Sequence, residues 1–448
     1  MRLKILSLCV GVFCSSAAGA MDLLSAYEAA LSNDPVFRSA VKENEAGQLN
    51  RVIGRSAMMP KASGNYSQYA NDSTITGPVF TGGPSATQNR AYPSDIATFQ
   101  LTQPLFSLEA LAKMRQGQAQ GNMSQAKFLF QSQDLLIRVL QAYSDVLYAL
   151  DQHHFLVVQR DAYAEQIKVN QRSFEKGEGT LTDMLESKAS YELAEVQVIE
   201  ASDAIENAKR KLEAITGQQL QSARDVKGLT KSFSVGPLVP LAFDSWRDDA
   251  LASNAELQAA SHNVEVAGQE YQKQDAGHYP IVSAVASWNQ SKSAYTSALN
   301  QNANTSSAGV QVSIPLFSSG EITGRTSQAR ANYEKAQADR DATRDRVLIE
   351  LRKQFDSVKS TAARVSALNR AVESSFELTK AMRKSVLGGQ RINLDVLLAD
   401  KALATSRRDL AQAKYSYMIS LIKLKQLAGN LFLEDLEKIA LHFEKDRR

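Results

Sequence analysis

Hydrophobic residues follow two different periods along the chain. Leu136, Leu140, Tyr143, Leu147, Leu150, His154 and Val157 alternate steps of four and three, and Leu351, Phe355, Val358, Ala362 and Val365 do the same. Steps of that kind lay a coiled-coil seam along a helix. They predict helices over 107–174 and 318–387, each about 100 Å long at 1.5 Å per residue. Shorter helices over 23–59 and 181–216 would reach about 55 Å each. Two short rods end to end therefore match one long rod, as in a cylinder whose wall alternates continuous and stacked helices. The irregular connection 217–243 then falls at the midpoint.

Between these helices the period drops to two. Ala97, Phe99 and Leu101 alternate with Thr98, Gln100 and Thr102, and Val310, Val312 and Ile314 with Gln311 and Ser313. Val282, Ala284, Ala286 and Trp288 alternate with Ser283, Ser287 and Asn289, with Val285 the exception, and a fourth strand near 62–70 is placed by the repeat. Alternation over about ten residues suits a strand with one lipid face and one polar face, or a half-buried strand of a soluble sheet. Polar segments 71–95 and 289–307, rich in Gly, Ser, Thr and Asn, are expected as loops joining the strands and facing outside. Tyr66, Tyr69, Tyr92, Phe99, Trp288 and Tyr295 are candidates for an interfacial aromatic girdle.

The same order of elements occurs twice. Ala30-Leu31 and Ala40 match Ala250-Leu251 and Ala260 at an offset of 220, as do Pro60 and Pro280. Pro104-Leu105-Phe106 matches Pro315-Leu316-Phe317 at 211, and Asp183, Leu185, Leu212 and Gly217 match Asp395, Leu397, Leu424 and Gly429 at 212. An ordered series of matches reads as a tandem duplication. Its parts are 21–217 (first repeat), 218–243 (connection), 244–430 (second repeat) and 431–448 (C-terminal tail). Four strands cannot close a barrel, and an open edge in lipid leaves backbone groups unpaired. Two chains give about eight strands and a filled interior; three give about twelve and a lumen, so a homotrimer with one shared barrel is expected.

Arg2 and Lys4, the apolar run 5–13 and Ala18-Gly19-Ala20 together predict a signal peptide over 1–20. Both cysteines, Cys9 and Cys14, lie inside it and lack a preceding small residue for lipid attachment, so no disulfide or thiolate metal site is expected in the mature chain. A net charge of +3 gives no basic field for nucleic acid. The pair His153-His154 has valine at both i+4 positions and reads as surface or seam, and no phosphate loop or nucleophile elbow occurs. No catalytic residue, cofactor or metal is expected.

The duplication, Asn33-Asp34-Pro35, the two Pro-Leu-Phe corners, the two Gly-containing helical turns, and 413–417 (AKYSY) followed by Leu427-Ala428-Gly429 resemble the TolC family of outer-membrane ducts over essentially the whole mature chain. The resemblance implies a mainly α fold with a small transmembrane β part. Three chains would form a 12-stranded barrel in the outer membrane, continuous with a long periplasmic α-helical barrel. It implies a non-enzymatic exit duct that docks on a periplasmic adaptor and an inner-membrane ABC transporter or other pump. The absence of a lipid-anchor cysteine and the Asn-Asp-Pro start favour type I protein secretion over multidrug efflux; a periplasmic coiled-coil scaffold is the alternative of a different class. By similarity Gly177, Gly179 and Gly389 lie at adaptor-contacting tips, Asp395 rings the constriction, and Arg391 ties it to Thr182 and Asp183. Val386 stands where the best-known member has a gate tyrosine and Leu398 replaces a second aspartate, so a gate with fewer polar ties is expected.

Overall fold

A computed structural model describes residues 21–78, 83–230, 233–293, 301–388 and 390–444. The expected signal peptide, Tyr295 and Gly389 lie outside the described residues. In chain order the elements are α1 (Leu23–Asn33), α2 (Pro35–Ser56), β1 (Lys61–Pro78), β2 (Ser85–Phe106), α3 (Leu108–Glu175), α4 (Leu181–Thr216), β3 (Gly228–Leu229), α5 (Phe243–Ser253), α6 (Ala255–Asp275), β4 (Ile281–Ser293), β5 (Gln301–Ser313), α7 (Glu321–Leu387), α8 (Asn393–Ala428), α9 (Leu433–Ala440) and β6 (Phe443–Glu444). Among the described residues no helix is long and apolar enough to cross a membrane. Two compact units emerge. One holds residues up to Val41 with Leu129–Asn254 and from Asp345 onward; the other holds Lys42–Phe128 and Ala255–Arg344.

In the first unit the helix expected over 23–59 is broken at Asp34. The residue before a proline is pushed out of the helical region, and Asp34 sits at φ −61°, ψ 117°. Its carboxylate accepts from Phe37 N–H at 2.9 Å and caps the restart at Pro35. Asn254, 220 positions on, breaks the second copy in the same way at φ −62°, ψ 122° without any proline. Both side chains are buried, and they are satisfied differently. Arg138 grips Asp34 with two N–H groups at 2.7 and 3.2 Å, whereas Asn254 Nδ2 donates to the Leu427 carbonyl at 2.9 Å. Burial alone would raise the Asp34 pKa; hydrogen bonds from Arg138 and Phe37 outweigh it and hold the carboxyl below its ordinary value.

Each break is covered by a glycine. Gly217 ends α4 at φ +67° and Gly429 ends α8 at φ +78°, a conformation that favours glycine. A Cβ on Gly217 would stand 2.7 Å from Cβ and Cγ of Asn33, the last residue of α1, and one on Gly429 would collide with the carbonyl of Ser253, the last residue of α5. The duplication has thus preserved one joint twice.

The predicted seam holds for Leu136, Leu140, Tyr143 and Leu147, all buried, then leaves the helix axis: His154 is exposed and Phe155 and Leu156 take over. Around Tyr143 the helix is buried on several sides, with Leu135, Val139 and Val146 also inaccessible. The Tyr143 hydroxyl reaches the carbonyls of Lys227 (2.9 Å) and Met21 (3.1 Å), and the Phe443 ring meets it edge-on at 5.2 Å. Phe443 belongs to β6, which pairs antiparallel with β3 through Gly228↔Glu444 and Leu229↔Phe443. Residues after 430 therefore form α9 and a strand that docks on the connection between repeats.

The second unit carries a four-stranded antiparallel sheet in the order β1-β2-β4-β5. Register sorts its side chains by parity. The rows Gly64, Phe99, Trp288, Ser306 and Ala62, Leu101, Ala286, Ala308, continued by Ala284–Val310 and Val282–Val312, share one face. The rows Asn65, Thr98, Asn289, Thr305 and Ser63, Gln100, Ser287, Ser307 share the other. One face is apolar and exposed, with Phe99, Val310 and Val312 each more than half accessible; the other is knitted by hydroxyls such as Ser287–Ser307 at 2.7 Å.

Two expectations are corrected here. The segments 71–95 and 289–307 are largely strand: β1 and β2 pair without interruption to Pro78↔Ser85. A ladder needs backbone partners rather than apolar side chains, and Thr76–Thr87 (2.9 Å) and Asn71–Ser94 (2.8 Å) bond across it. β2 pairs with β4 only from Ser94 onward; Pro93, with no N–H, stands where that ladder stops. The aromatic set also divides by parity: Tyr66, Phe99 and Trp288 lie on the apolar face, Tyr69 and Tyr92 on the polar one.

Candidate functional site

Two helical hairpins, α3–α4 and α7–α8, end in turns built alike. At the first, Gly177 N–H bonds Phe174 O at 2.9 Å and Glu178 N–H reaches back to Ser173 O at 2.9 Å, the pair of bonds that closes a helix on a left-handed residue. Gly177 has φ +76° and open space where a Cβ would sit; Gly179 lies against Ser173 and Phe174, with a Cβ approaching their atoms at 3.1 Å. At the second turn Gln390 N–H bonds Ser385 O at 3.0 Å, the same span displaced by 212.

The returning helices start differently. Thr180 caps α4: Asp183 N–H donates to Thr180 Oγ1 (3.1 Å), and Asp183 Oδ2 accepts from Thr180 N–H (3.2 Å) and Oγ1–H (2.7 Å). Those Thr180 hydrogen bonds hold the exposed Asp183 carboxyl below its ordinary pKa. Asp183 is therefore a capping residue within the chain, and Thr182 beside it is exposed. Asp395 has no such role; α8 has Ile392 at its N-cap position and no side-chain cap. Its carboxylate lies 3.7 Å from Arg391, one turn away. Within one chain, then, Arg391 meets Asp395 and not Thr182 or Asp183.

Further ties hold each hairpin together: Arg383 to Asp400 (3.0 Å), Ser375 to Ser406 (3.3 Å) and Ser357 to Ser420 (3.0 Å) in the second, Asn170 to Ser187 (2.6 Å) in the first. Among the described residues, polar and cation–ring contacts between α3 and α8 join the hairpins, and Ala404 of α8 packs against the cluster of Phe155, Leu156 and Ala201. Tyr415 Oη donates to Asp151 at 3.2 Å, the Arg408 guanidinium lies 4.5 Å from the Phe155 ring centroid, and Lys401 Nζ donates to Tyr163 Oη at 3.1 Å while sitting 4.7 Å from its ring. The Lys401 hydrogen bond lowers the Tyr163 pKa. Reading the sequence missed these rungs, because 238 residues separate Lys401 from Tyr163 and no motif marks either.

A duplicated chain in which each amphipathic strand pair leads into a long helix, of 68 residues in the first copy and 67 in the second, defines an outer-membrane channel fold. The chain belongs to the outer membrane efflux protein family, whose sequence profile matches residues 26–218 and 246–430. It is 40% identical over 426 residues to the alkaline protease secretion protein AprF of Pseudomonas aeruginosa, covering 95% of this chain and 88% of that one. Against the proteases secretion protein PrtF of Dickeya chrysanthemi it is 34% identical over 440 residues, covering 95% and 92%. In fold it matches the Campylobacter jejuni outer-membrane channel CmeC with a TM-score of 0.75 at 16% identity, over 94% of this chain and 90% of that one. Vibrio cholerae VceC matches at 0.72 and 18% identity, over 92% and 96%. It is an outer-membrane protein with a long periplasmic helical part.

Proposed function

We propose that the chain is the exit duct of a type I protein secretion machine, a homotrimer docked on a periplasmic adaptor and an inner-membrane ABC transporter. The likeness to two protease secretion proteins across nearly their whole length carries this reading. The sheet supports the trimer: β1 and β5 are its open edges, and an amphipathic sheet of four strands satisfies its backbone in lipid when β5 of one copy pairs with β1 of the next. Any tie from Arg391 to Thr182 or Asp183 then runs between copies, and Asp395 contributes one carboxylate of three to the constriction. Gly177, Gly179 and Gly389 offer the adaptor a repeated shallow turn. In a P. aeruginosa strain lacking AprF, this chain should restore alkaline protease to the medium; trimers in the outer membrane with protease still confined to the cell would reject the reading.

A further inference from the structure

We propose that Arg90, with Tyr92 and Tyr69 beside it, forms a basic and aromatic collar at the outer mouth of the duct that binds acidic stretches of the polypeptide being exported; the proposal rests on the duct reading above. The distribution of charge over the four-stranded sheet carries it. The charged residues of its strands are Lys61 and Asp72 in β1, Arg90 and Asp95 in β2 and Lys292 in β4, with none in β5. Register divides them by face. Asp72, Asp95 and Lys292 fall on the parity of Phe99 and Trp288, the apolar face; Lys61 and Arg90 fall on the parity of Asn65 and Thr98, the polar one. Both carboxylates of the strands thus belong to the outward face of the barrel, and the charges on the face turned to the lumen are bases alone.

Position along the strand separates the two bases. Lys61 opens β1 at its helical end, and from there to Ser73, the partner of Arg90, the strand runs about 40 Å. Between them the polar face is uncharged, and its hydroxyls and amides hydrogen-bond a passing chain whatever its charge. Arg90 stands beyond that wall. β2 pairs with β4 only from Ser94 onward, so Arg90 sits on the two-stranded part of the β1–β2 hairpin, past the row of Phe99 and Trp288. Tyr92 and Tyr69 occupy the next two rows of the same face, opposite Asn71 and Ser94. Asn71 Nδ2 ties those rows together, donating to Ser94 Oγ at 2.8 Å and to Tyr92 O at 3.3 Å. A guanidinium binds a carboxylate through two parallel N–H groups, and tyrosine rings add broad contact area at small entropic cost. One set per chain places three around the exit. Lipid is not the occupant, because the set lies on the face opposite Phe99 and Trp288; what passes that face is the leaving chain.

The test uses the full-length trimer in planar bilayers, with a short glutamate oligopeptide added on the outer side. This peptide should block the parent pore for longer than a lysine oligopeptide of equal length. Arg90→Gln should shorten the glutamate blockades about tenfold, as loss of three exposed ion pairs does, and Arg90→Lys should keep part of their length. Lys292→Gln removes the same charge from the opposite face of the sheet and should leave the blockades at parental length. Higher salt should shorten them in the parent, because exposed charges are screened. A photoreactive benzoylphenylalanine in place of Ser73, opposite Arg90, gives a readout that needs no conduction. In detergent it should label the glutamate peptide about tenfold more strongly with Arg90 present than in Arg90→Gln. A parent protein that conducts nothing would defeat the duct reading, with the labelling still deciding the collar. Equal blockade and labelling in parent and Arg90→Gln, or an equal loss in Lys292→Gln, would overturn the collar itself.

Discussion

Gly217 and Gly429 are the same joint in two copies, which makes them an internally controlled pair for substitution by alanine. At both sites the left-handed backbone costs alanine about 1–2 kcal/mol. The obstacles differ. At 217 the new methyl meets the side chain of Asn33, 2.7 Å away on an exposed helix end. At 429 it meets the Ser253 carbonyl, so α5 itself must move; forced displacement of packed structure adds about 1–3 kcal/mol. Gly429→Ala should therefore cost about 2–5 kcal/mol in all, and Gly217→Ala less. A second substitution separates the cases. Asn33→Gly removes the obstructing Cβ and should recover the steric part at 217, whereas Ser253→Gly leaves the carbonyl in place and should recover little at 429. Trp246, buried in α5 with Nε1 donating to Pro240 O at 2.8 Å, reports on the joint in a Trp288→Phe background. Urea titrations in detergent followed by its fluorescence give both cycles. If Ser253→Gly rescued Gly429→Ala as fully as Asn33→Gly rescues Gly217→Ala, the carbonyl would not be the obstacle, and the geometric reasoning would fail.

Other outcomes follow from the same structure. Asp34 has its pKa held down in the fold, so its stabilising contribution is complete above the ordinary value of 3.8 and is lost as pH falls through the lower folded value; Asp34→Asn should be less stable than the parent at pH 5 and should flatten the acid limb of unfolding below pH 3.8, and parallel limbs would refute this. Leu101→Lys, on the apolar face, should cut trimer yield in the outer membrane, while Thr102→Lys on the polar face should not, since a lysine in the lipid midplane costs about 2–4 kcal/mol; equal yields would put the lipid face elsewhere. Asp395→Asn should lower the cation preference of the reconstituted pore, measured as reversal potential in a salt gradient, because crowded carboxylates set the local field.

Much of this fold can be read from residues, and the exceptions have physical causes. The duplication and the two periods give the long helices and the strands directly. The break at Asp34 is announced by Pro35, yet Asn254 breaks its helix with alanine following, and only the offset of 220 connects them. Strand length is understated by side-chain patterning because Thr, Ser and Asn continue a ladder as well as apolar residues do. Parity could have divided the aromatic residues, since Tyr66 and Tyr69 differ by an odd step. Turn geometry at Gly177 was legible, whereas the meeting of Lys401 with Tyr163 depends on how two distant helices lie and leaves no local signature.

The pairing of β6 with β3 bears on how the protein is made. Exported polypeptide emerges in the periplasm from its N-terminus, so Tyr143 and the Gly228–Leu229 edge arrive long before Phe443. Until then the first repeat lacks the ring that seals its most buried tyrosine and the strand that satisfies its connection. That joint closes only once synthesis has reached Phe443. A product truncated ahead of Phe443 would lack both the ring that packs on Tyr143 and the strand that pairs with Gly228–Leu229, so the last residues of the fold complete the packing of its first repeat.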